Sequence, residues 1–529
     1  MTTRRTVASM AAATIASRLL GFVRIIVIAS VLGTTALGNT FQSTNSISNV
    51  LFDLLAAGAL SAALVPQLVH AMARSDEELK KMVSSLVTLV LIILGTVSVI
   101  GVLFAQPLSE WLFSRAPNAT HDAQVRTGAI LLRFFIPQVM LYGFGAVAIA
   151  VLTAKKKFIS TVIAPMGSSL FIMATIIIFS FVRNTSGVAM PLHDTIILGI
   201  AGTGSCLAFV AIPVVVAMRN GIRFFPSKDM KSGLSVLSSS VWAIAIQASA
   251  AILLGATLLI GNQREGAVVA YQLAFVFFLA PYAILSQSFA TVLLPDLSSS
   301  ALEEKENSQF RDIVSNMMTW TYRPMVVVTG VCVALYGPII NIVAQGQAKS
   351  GQDMVEVVFV VLVLGIMPYS VFQATSRIFF AKSNIRLPAL TILISSIVMS
   401  GAALIGSRHV SGLNVLVVMG LAHTMAYLLA SLILLVMLQR EKYNVWPDRT
   451  SWLVILGSSL YAGLGFVVSR NIIVRGRLLS LAYCGGYVLL SALIIFIVMG
   501  SRRRAQLRTV IADMTGRNKL NDEAGLSVQ

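Results

Sequence analysis

The stretch Ser17-Arg18-Leu19-Leu20-Gly21-Phe22-Val23-Arg24 lies inside an apolar run covering roughly residues 7 to 33, and it carries two arginines within that run. A run of this length crosses a bilayer as one helix, because ~20 apolar residues rising 1.5 Å each span the ~30 Å hydrocarbon core. A guanidinium at bilayer depth costs at least ~2.5–3.5 kcal/mol, so it persists where it faces a wet or paired interior. Snorkelling is the ordinary alternative for a long basic side chain. It suits neither residue, since each stands about six or more residues from the nearer end of the run. The stretch predicts a membrane protein with an anion-receptive cavity.

The rest of the chain agrees. Apolar residues make up 57% of the 529, charged residues 11%, and the mean hydropathy is +0.85. An ordinary soluble protein is about a quarter charged. About fourteen apolar runs are long enough to span: 7–33, 38–72, 83–105, 126–153, 159–182, 195–218, 236–261, 267–299, 314–337, 354–381, 387–406, 413–438, 451–468 and 477–499. The expected fold is therefore an all-α polytopic membrane protein of about fourteen transmembrane helices. Thr2-Thr3-Arg4-Arg5-Thr6 superficially resembles the start of a secretion signal. The apolar core behind it is broken by Arg18 and Arg24 and leads straight into a second span, which reads as a retained helix.

Charge placement sets the orientation. An even number of spans puts both termini on one side, and that side collects 25 of the 39 lysines and arginines against 9 on the other. Five lie within spans: Arg18, Arg24, Arg133, Arg323 and Arg377. The positive-inside rule places both termini in the cytoplasm. Basic loops against anionic membrane lipid account for the net charge of +18. No basic domain outside the membrane is large enough to dock a duplex, so nucleic acid is excluded as a partner. Cys206, Cys332 and Cys484 are far apart and within spans, which reads as three small apolar residues and no metal site.

Two halves resemble each other. Gly58-Ala59-Leu60-Ser61-Ala62-Ala63-Leu64-Val65-Pro66-Gln67-Leu68 returns as Gln287-Ser288-Phe289-Ala290-Thr291-Val292-Leu293-Leu294-Pro295-Asp296-Leu297, at an offset of 229. Ile136-Pro137 and Ala154-Lys155 are echoed by Met367-Pro368 and Ala381-Lys382, at offsets of 231 and 227. Three matches at nearly one offset suggest a duplication. Six spans separate the partners, so the repeats share one orientation and relate by an axis along the membrane normal. The expected plan is two six-helix lobes, residues 1–228 and 229–440, then two further helices over 441–500 and a basic, largely disordered tail over 501–529.

The second span opens with a polar stripe. Gln42, Asn45, Ser46, Asn49 and Asp53 are spaced by three and four, so they form one helix face. Arg18 and Asp53 each stand 15 residues from the outer ends of their spans, about 22 Å down at 1.5 Å per residue. The expectation is an Arg18–Asp53 pair, because an unpaired intramembrane carboxylate is expensive. Arg24 then lies higher, beside Asn45 and Asn49, without an acidic mate, and is the better ligand candidate. The corresponding second-half positions are Gln247 and Tyr282, without charge. Arg377 lies near the cytoplasmic end of its span, within snorkelling reach, and Gln272 and Gln287 can line the cavity from the eighth span.

These residues resemble the MurJ/MviN family. The resemblance rests on Ser17 through Arg24, on Gly38-Asn39-Thr40-Phe41, on Gly58-Ala59-Leu60-Ser61 through Val65-Pro66, on Thr291-Val292-Leu293-Leu294-Pro295, and on Arg377-Ile378-Phe379-Phe380-Ala381 with Arg386-Leu387-Pro388. It implies a lipid II flippase of the multidrug/oligosaccharidyl-lipid/polysaccharide exporter superfamily. Its fourteen helices would form two lobes plus a lipid-tail groove made by the last two. The family's first-helix serine and paired arginines match Ser17, Arg18 and Arg24. Its second-helix aspartate is Asn39 here, its second-helix arginine falls on Phe52, its glutamate on Ala57, and its eighth-helix arginine near Val276. The arginine triad is reduced to Arg24.

The expected function is movement of an undecaprenyl-diphosphate-linked peptidoglycan precursor, lipid II, from the cytoplasmic to the outer leaflet by alternating access. The cavity would be lined by Ser17, Arg18, Arg24, Asn39, Gln42, Asn45, Asn49, Asp53, Gln272, Gln287 and Arg377. Guanidinium forks suit a diphosphate. There is no Walker-type glycine loop, so an ion gradient or the membrane potential is the expected motor, with no cofactor. Cell-wall synthesis or division proteins are the expected protein partners. The alternatives are a flippase for another lipid-linked oligosaccharide, a drug exporter, whose cationic cargo the arginines oppose, and a polytopic glycosyl- or phosphotransferase. A transferase would need acids or histidines converging at the membrane surface, whereas His70, His121, His193, His409 and His423 are scattered.

Overall fold

The computed structural model describes residues 3–52, 58–183, 187–228, 241–287, 308–471 and 477–498, with the single positions 230, 233 and 297. All regular structure among them is helical. Asp53, Ala57, the Thr291–Pro295 motif and the tail from Ser501 lie outside the described residues.

The first half contains α1 (Thr3–Leu32), α2 (Ala36–Phe52), α3 (Gly58–Arg74), α4 (Asp76–Leu89), α5 (Gly95–Leu103), α6 (Ala105–Leu112), α7 (Asn118–Phe135), α8 (Gln138–Ala154), α9 (Phe158–Val182) and α10 (Leu192–Arg219). The second contains α11 (Val241–Gly261), α12 (Ala267–Pro281), α13 (Ser308–Ala334), α14 (Tyr336–Val343), α15 (Gln352–Leu364), α16 (Ile366–Ala381), α17 (Arg386–Gly406) and α18 (Asn414–Arg440). It is followed by α19 (Arg449–Asn471) and α20 (Arg477–Val498). Nine helices or continuous helix runs among the described residues are long and apolar enough to cross a membrane, and α13 with α14 makes a further span bent by 68°. The fold is all-α and multi-pass.

Local signals set the element ends. Ser75 caps α4 by accepting the Glu78 backbone N–H at 3.1 Å, and Asp76, Glu77 and Glu78 follow in the first turn, where the positive end of the helix dipole favours carboxylates. The echoed Ala-Lys motifs end α8 and α16 with the same turn. Lys156 and Ser383 both adopt φ 57°. The next residues close the turn alike, Lys157 N–H to Leu152 O at 2.8 Å and Asn384 N–H to Phe379 O at 2.9 Å, the paired-bond pattern of a Schellman cap.

Without a hydrophobic drive between helices in lipid, packing and hydrogen bonds hold the bundle. Leu64, Val83, Leu94, Val147 and Val151 interlock in the first half, as do Ile28, Phe41, Phe135 and Phe179. In the second half, Phe278, Val358, Phe359 and Met419 form one cluster and Met317, Phe372, Tyr427 and Leu434 another. Helix α1 crosses over: Phe22, Ile25, Ile26 and Ala29 pack against the first of those second-half clusters, with Phe22 edge-on to Phe277 at 5.2 Å.

Candidate transport cavity

The end of the bundle opposite the N-terminus, here the distal end, is sealed between the halves. Asn39, fully buried near the start of α2, donates to Arg264 O at 2.8 Å and accepts the Val268 N–H at 3.1 Å. One turn on, the Ser43 hydroxyl donates to Asn262 Oδ1 at 3.2 Å, and Asn262 donates to Leu112 O at 3.1 Å. Thr120 donates to Glu265 at 3.1 Å. Arg115 reaches across to Leu404 O at 3.3 Å and to the Ser407 hydroxyl at 2.9 Å; burial, then the charge of Arg408, lowers its pKa, yet a guanidinium stays charged. Backbone meets backbone at two glycines of positive φ. A Cβ on Gly266 (φ 81°) would stand 2.3 Å from Thr34 O, and one on Gly346 (φ 56°) 2.5 Å from Ser30 O.

Below this seal the predicted cavity residues divide. Gln272 of α12 donates to the Ser46 hydroxyl at 3.3 Å, a bridge between the halves. Gln42 is buried, Asn45 and Asn49 are half-buried, and none of the three amides has a hydrogen-bond partner among the described residues. Beside this face α2 is satisfied within the first half, where Ser48 donates to Gln138 at 3.3 Å and Gln138 donates to Thr203 at 3.2 Å. So α2 carries open amides next to used hydroxyls.

Arg24 is half-buried, with no ion pair or hydrogen bond among the described residues. It is two residues past Phe22, about 200° round the helix at 3.6 residues per turn, so it points away from the second-half cluster. Its electrostatic neighbour is Tyr142 of α8, whose ring packs between Phe52 at 5.0 Å and Phe209 at 5.9 Å. Arg18, six residues earlier, lies on a different face, about 240° away. It is exposed and has no acidic partner among the described residues, and Ser17 is half-buried. The expected Arg18–Asp53 pair falls outside the described residues.

Arg377 differs from the snorkelling expectation. It is half-buried and donates to the Tyr282 hydroxyl at 3.4 Å, while its Nη1 is buried without a partner. Aromatic packing holds it inside: Tyr282 stands edge-on to Tyr369 at 4.8 Å, and Tyr369 edge-on to Tyr427 at 4.8 Å. Gln287, at the far end of the same helical run, is exposed. Arg323 pairs with Asp448 at 2.9 Å and so ties α13 to the start of α19. Asn341 of α14 donates to the Ser480 hydroxyl of α20 at 2.9 Å. Sequence reasoning missed Asn262, Arg115, Tyr142 and Tyr282. Each acts through a partner remote in the chain, and nothing local marks it.

The family profile for the lipid II flippase MurJ matches residues 28–492. The chain belongs to this family. It is 22% identical over 432 residues to a probable lipid II flippase MurJ of Borreliella burgdorferi, covering 79% of each chain. To one of Rhizobium tropici it is 22% identical over 477 residues, covering 87% of this chain and 86% of the other. Its fold matches a lipid II flippase MurJ in an inward closed conformation with TM-score 0.69 at 18% identity, over 92% of this chain and 98% of that one. An inward-facing multidrug resistance MATE family transporter of the MOP superfamily matches with TM-score 0.63 at 12% identity, over 86% and 96%. As a family member the chain is a multi-pass protein of the bacterial inner membrane and a transporter, not an enzyme.

Proposed function

We propose that the chain carries lipid II from the cytoplasmic to the outer leaflet by alternating access, with the distal seal as the outer gate in its closed state. The observation that carries this reading is Arg24: an intramembrane guanidinium, half-buried and without an ion pair among the described residues, beneath a closed junction. A charge left so is costly unless a ligand completes it, and a diphosphate matches its donors. Arg18, Ser17, Asn45, Asn49 and Gln42 would serve the rest of the head group, and Arg377 with its unpartnered Nη1 would approach from the second half. The exposed leucines of α19, among them Leu453, Leu456, Leu460 and Leu464, suit a polyprenyl tail. An ion gradient or the membrane potential would drive the cycle, with Asp53 the candidate for coupling.

Complementation of a depleted strain tests the reading. Arg24→Ala, expressed and inserted at normal levels, should fail to support growth while lipid II accumulates in the inner leaflet. Full growth with this variant would remove the diphosphate role. One observation favours a second reading, a related diphosphate-linked saccharide lipid: Phe52 stands where the family resemblance expects an arginine, and its ring packs on Tyr142. Accumulation of that other lipid on depletion, with lipid II unaffected, would favour it.

A further inference from the structure

The repeated turns that end α8 and α16 share one backbone and differ in how their lysines are paired. In the second half, Lys382 pairs with Glu441 and lies over the Tyr443 ring at 5.1 Å. In the first half, Lys155 donates to Asn220 O at 3.1 Å and Lys157 to the Asn220 side-chain oxygen. Asn220 is neutral, so neither ammonium is compensated. Arg219 and Arg223 flank Asn220 in the chain, and Lys228 follows. Lys156, Lys157, Arg219, Arg223 and Lys228 are all exposed.

No acid occurs in the sequence between Asp122 and Asp194, nor from Thr195 to Lys228; the next, Asp229, is matched in the sequence by Lys231. The acids at this end of the neighbouring α4, Asp76 to Glu78, are matched by Arg74, Lys80 and Lys81, with Lys81 paired to Glu78 at 3.4 Å. The segment after α10 is docked along α4. The Ser227 N–H donates to the Thr88 hydroxyl at 2.7 Å, that hydroxyl donates back to Ser227 O at 2.9 Å, and the Gly233 N–H donates to the Ser85 hydroxyl at 3.0 Å. Phe225 is 66% exposed and Met218 57%, so the same strap carries apolar side chains beside its charges.

We propose that the turn Lys155–Lys157, with Arg219, Arg223 and Lys228, is a binding site for the head group of an anionic phospholipid, whose acyl chains lie against Met218 and Phe225. The bilayer supplies this ligand at the depth where a span ends, and juxtamembrane basic residues are what draw it. Lysine and arginine suit it as donors to a phosphodiester. The Thr88 and Ser85 bonds hold the strap against α4, so its charges are presented without the entropy cost of ordering a loose segment. The site is separate from the cavity and does not depend on the identity of the cargo.

The test uses the full-length protein in neutral detergent, titrated with phosphatidylglycerol or phosphatidylcholine and read by native mass spectrometry. Lys156→Asn, Arg223→Gln and Lys228→Gln together remove three charges whose side chains have no hydrogen bond among the described residues; asparagine tolerates the left-handed backbone of Lys156. At about fivefold per charge, phosphatidylglycerol binding should weaken about a hundredfold, with phosphatidylcholine binding and the melting temperature unchanged. Arg126→Gln, Lys349→Gln and Arg408→Gln, at the distal end, should have no such effect, and Lys156→Arg with Arg223→Lys and Lys228→Arg should retain binding. Equal loss in both neutralised triples, or none in the first, overturns the site. Displacement of the lipid by millimolar inorganic phosphate overturns the phospholipid assignment in favour of a soluble anion.

Discussion

Asn39 and Val268 are 229 residues apart and joined by a 3.1 Å hydrogen bond from the Val268 N–H to the Asn39 side-chain oxygen. The same offset relates Pro66 to Pro295. On that offset Asn39 touches its own counterpart, so the contact stands on the axis that would relate the halves. A bond there is made and broken whenever the halves part at this end, whichever of them moves.

Asn39→Ala should therefore loosen the distal seal specifically. It strands the Val268 N–H in a buried junction and leaves the Arg264 carbonyl with only the Ala267 N–H, a loss of about 1–3 kcal/mol. An impermeant maleimide applied from outside should label a cysteine placed at Asn45 faster in this background than in the parent. Unchanged labelling would mean that the seal does not rest on Asn39.

Gly266→Ala should act in the same direction by sterics. The added Cβ would stand 2.3 Å from the Thr34 carbonyl oxygen, at φ 81°, so backbone strain adds to the clash. The expected outcome is a melting temperature several degrees lower and the same rise in labelling at position 45, with Gly221→Ala, at open space, as the control for positive φ alone.

Arg377 and Tyr282 should be coupled. Tyr282→Phe and Arg377→Gln each disturb one contact of 3.4 Å inside a packed aromatic group. A double-mutant cycle on thermal stability should return an interaction of about 0.5–3 kcal/mol, the range for residues in contact. Additive losses would mean that Arg377 is held by the helix packing alone.

The docking of α19 should resist acid. The Ser451 hydrogen bonds, then the Arg323 guanidinium, hold the Asp448 carboxyl well below the usual carboxylate range. A depressed folded-state pKa contributes stability above the ordinary value of about 4, lost as pH falls through the folded value. Neutral and mildly acidic buffers should thus leave the contact intact. Asp448 is half exposed, so the ion pair itself contributes at most about 1 kcal/mol. Asp448→Asn, which keeps a capping side chain, should cost less than Asp448→Ala, which also loses about 1 kcal/mol of cap. Melting curves of the two variants check the order.

Much of this protein could be read before any coordinates. Apolar run length placed the membrane-crossing helices, because each span buries its own backbone hydrogen bonds and needs no partner to be recognised. The period of three and four put Gln42, Asn45, Ser46 and Asn49 on one face of α2, and the arginines in mid-span singled out α1 as the helix to carry a candidate site. What periodicity reports is which side of a helix is polar, never which helix it meets. That Asn39 seals the halves instead of standing open in a cavity, that Arg377 turns inward to Tyr282, and that Lys155 and Lys157 close on neutral Asn220 where Lys382 closes on Glu441, were decided by contacts between residues tens to hundreds of positions apart. The energy of such contacts depends on helix placement to a fraction of an ångström, and in lipid, where apolar burial does not rank one neighbour above another, only the assembled packing selects among them.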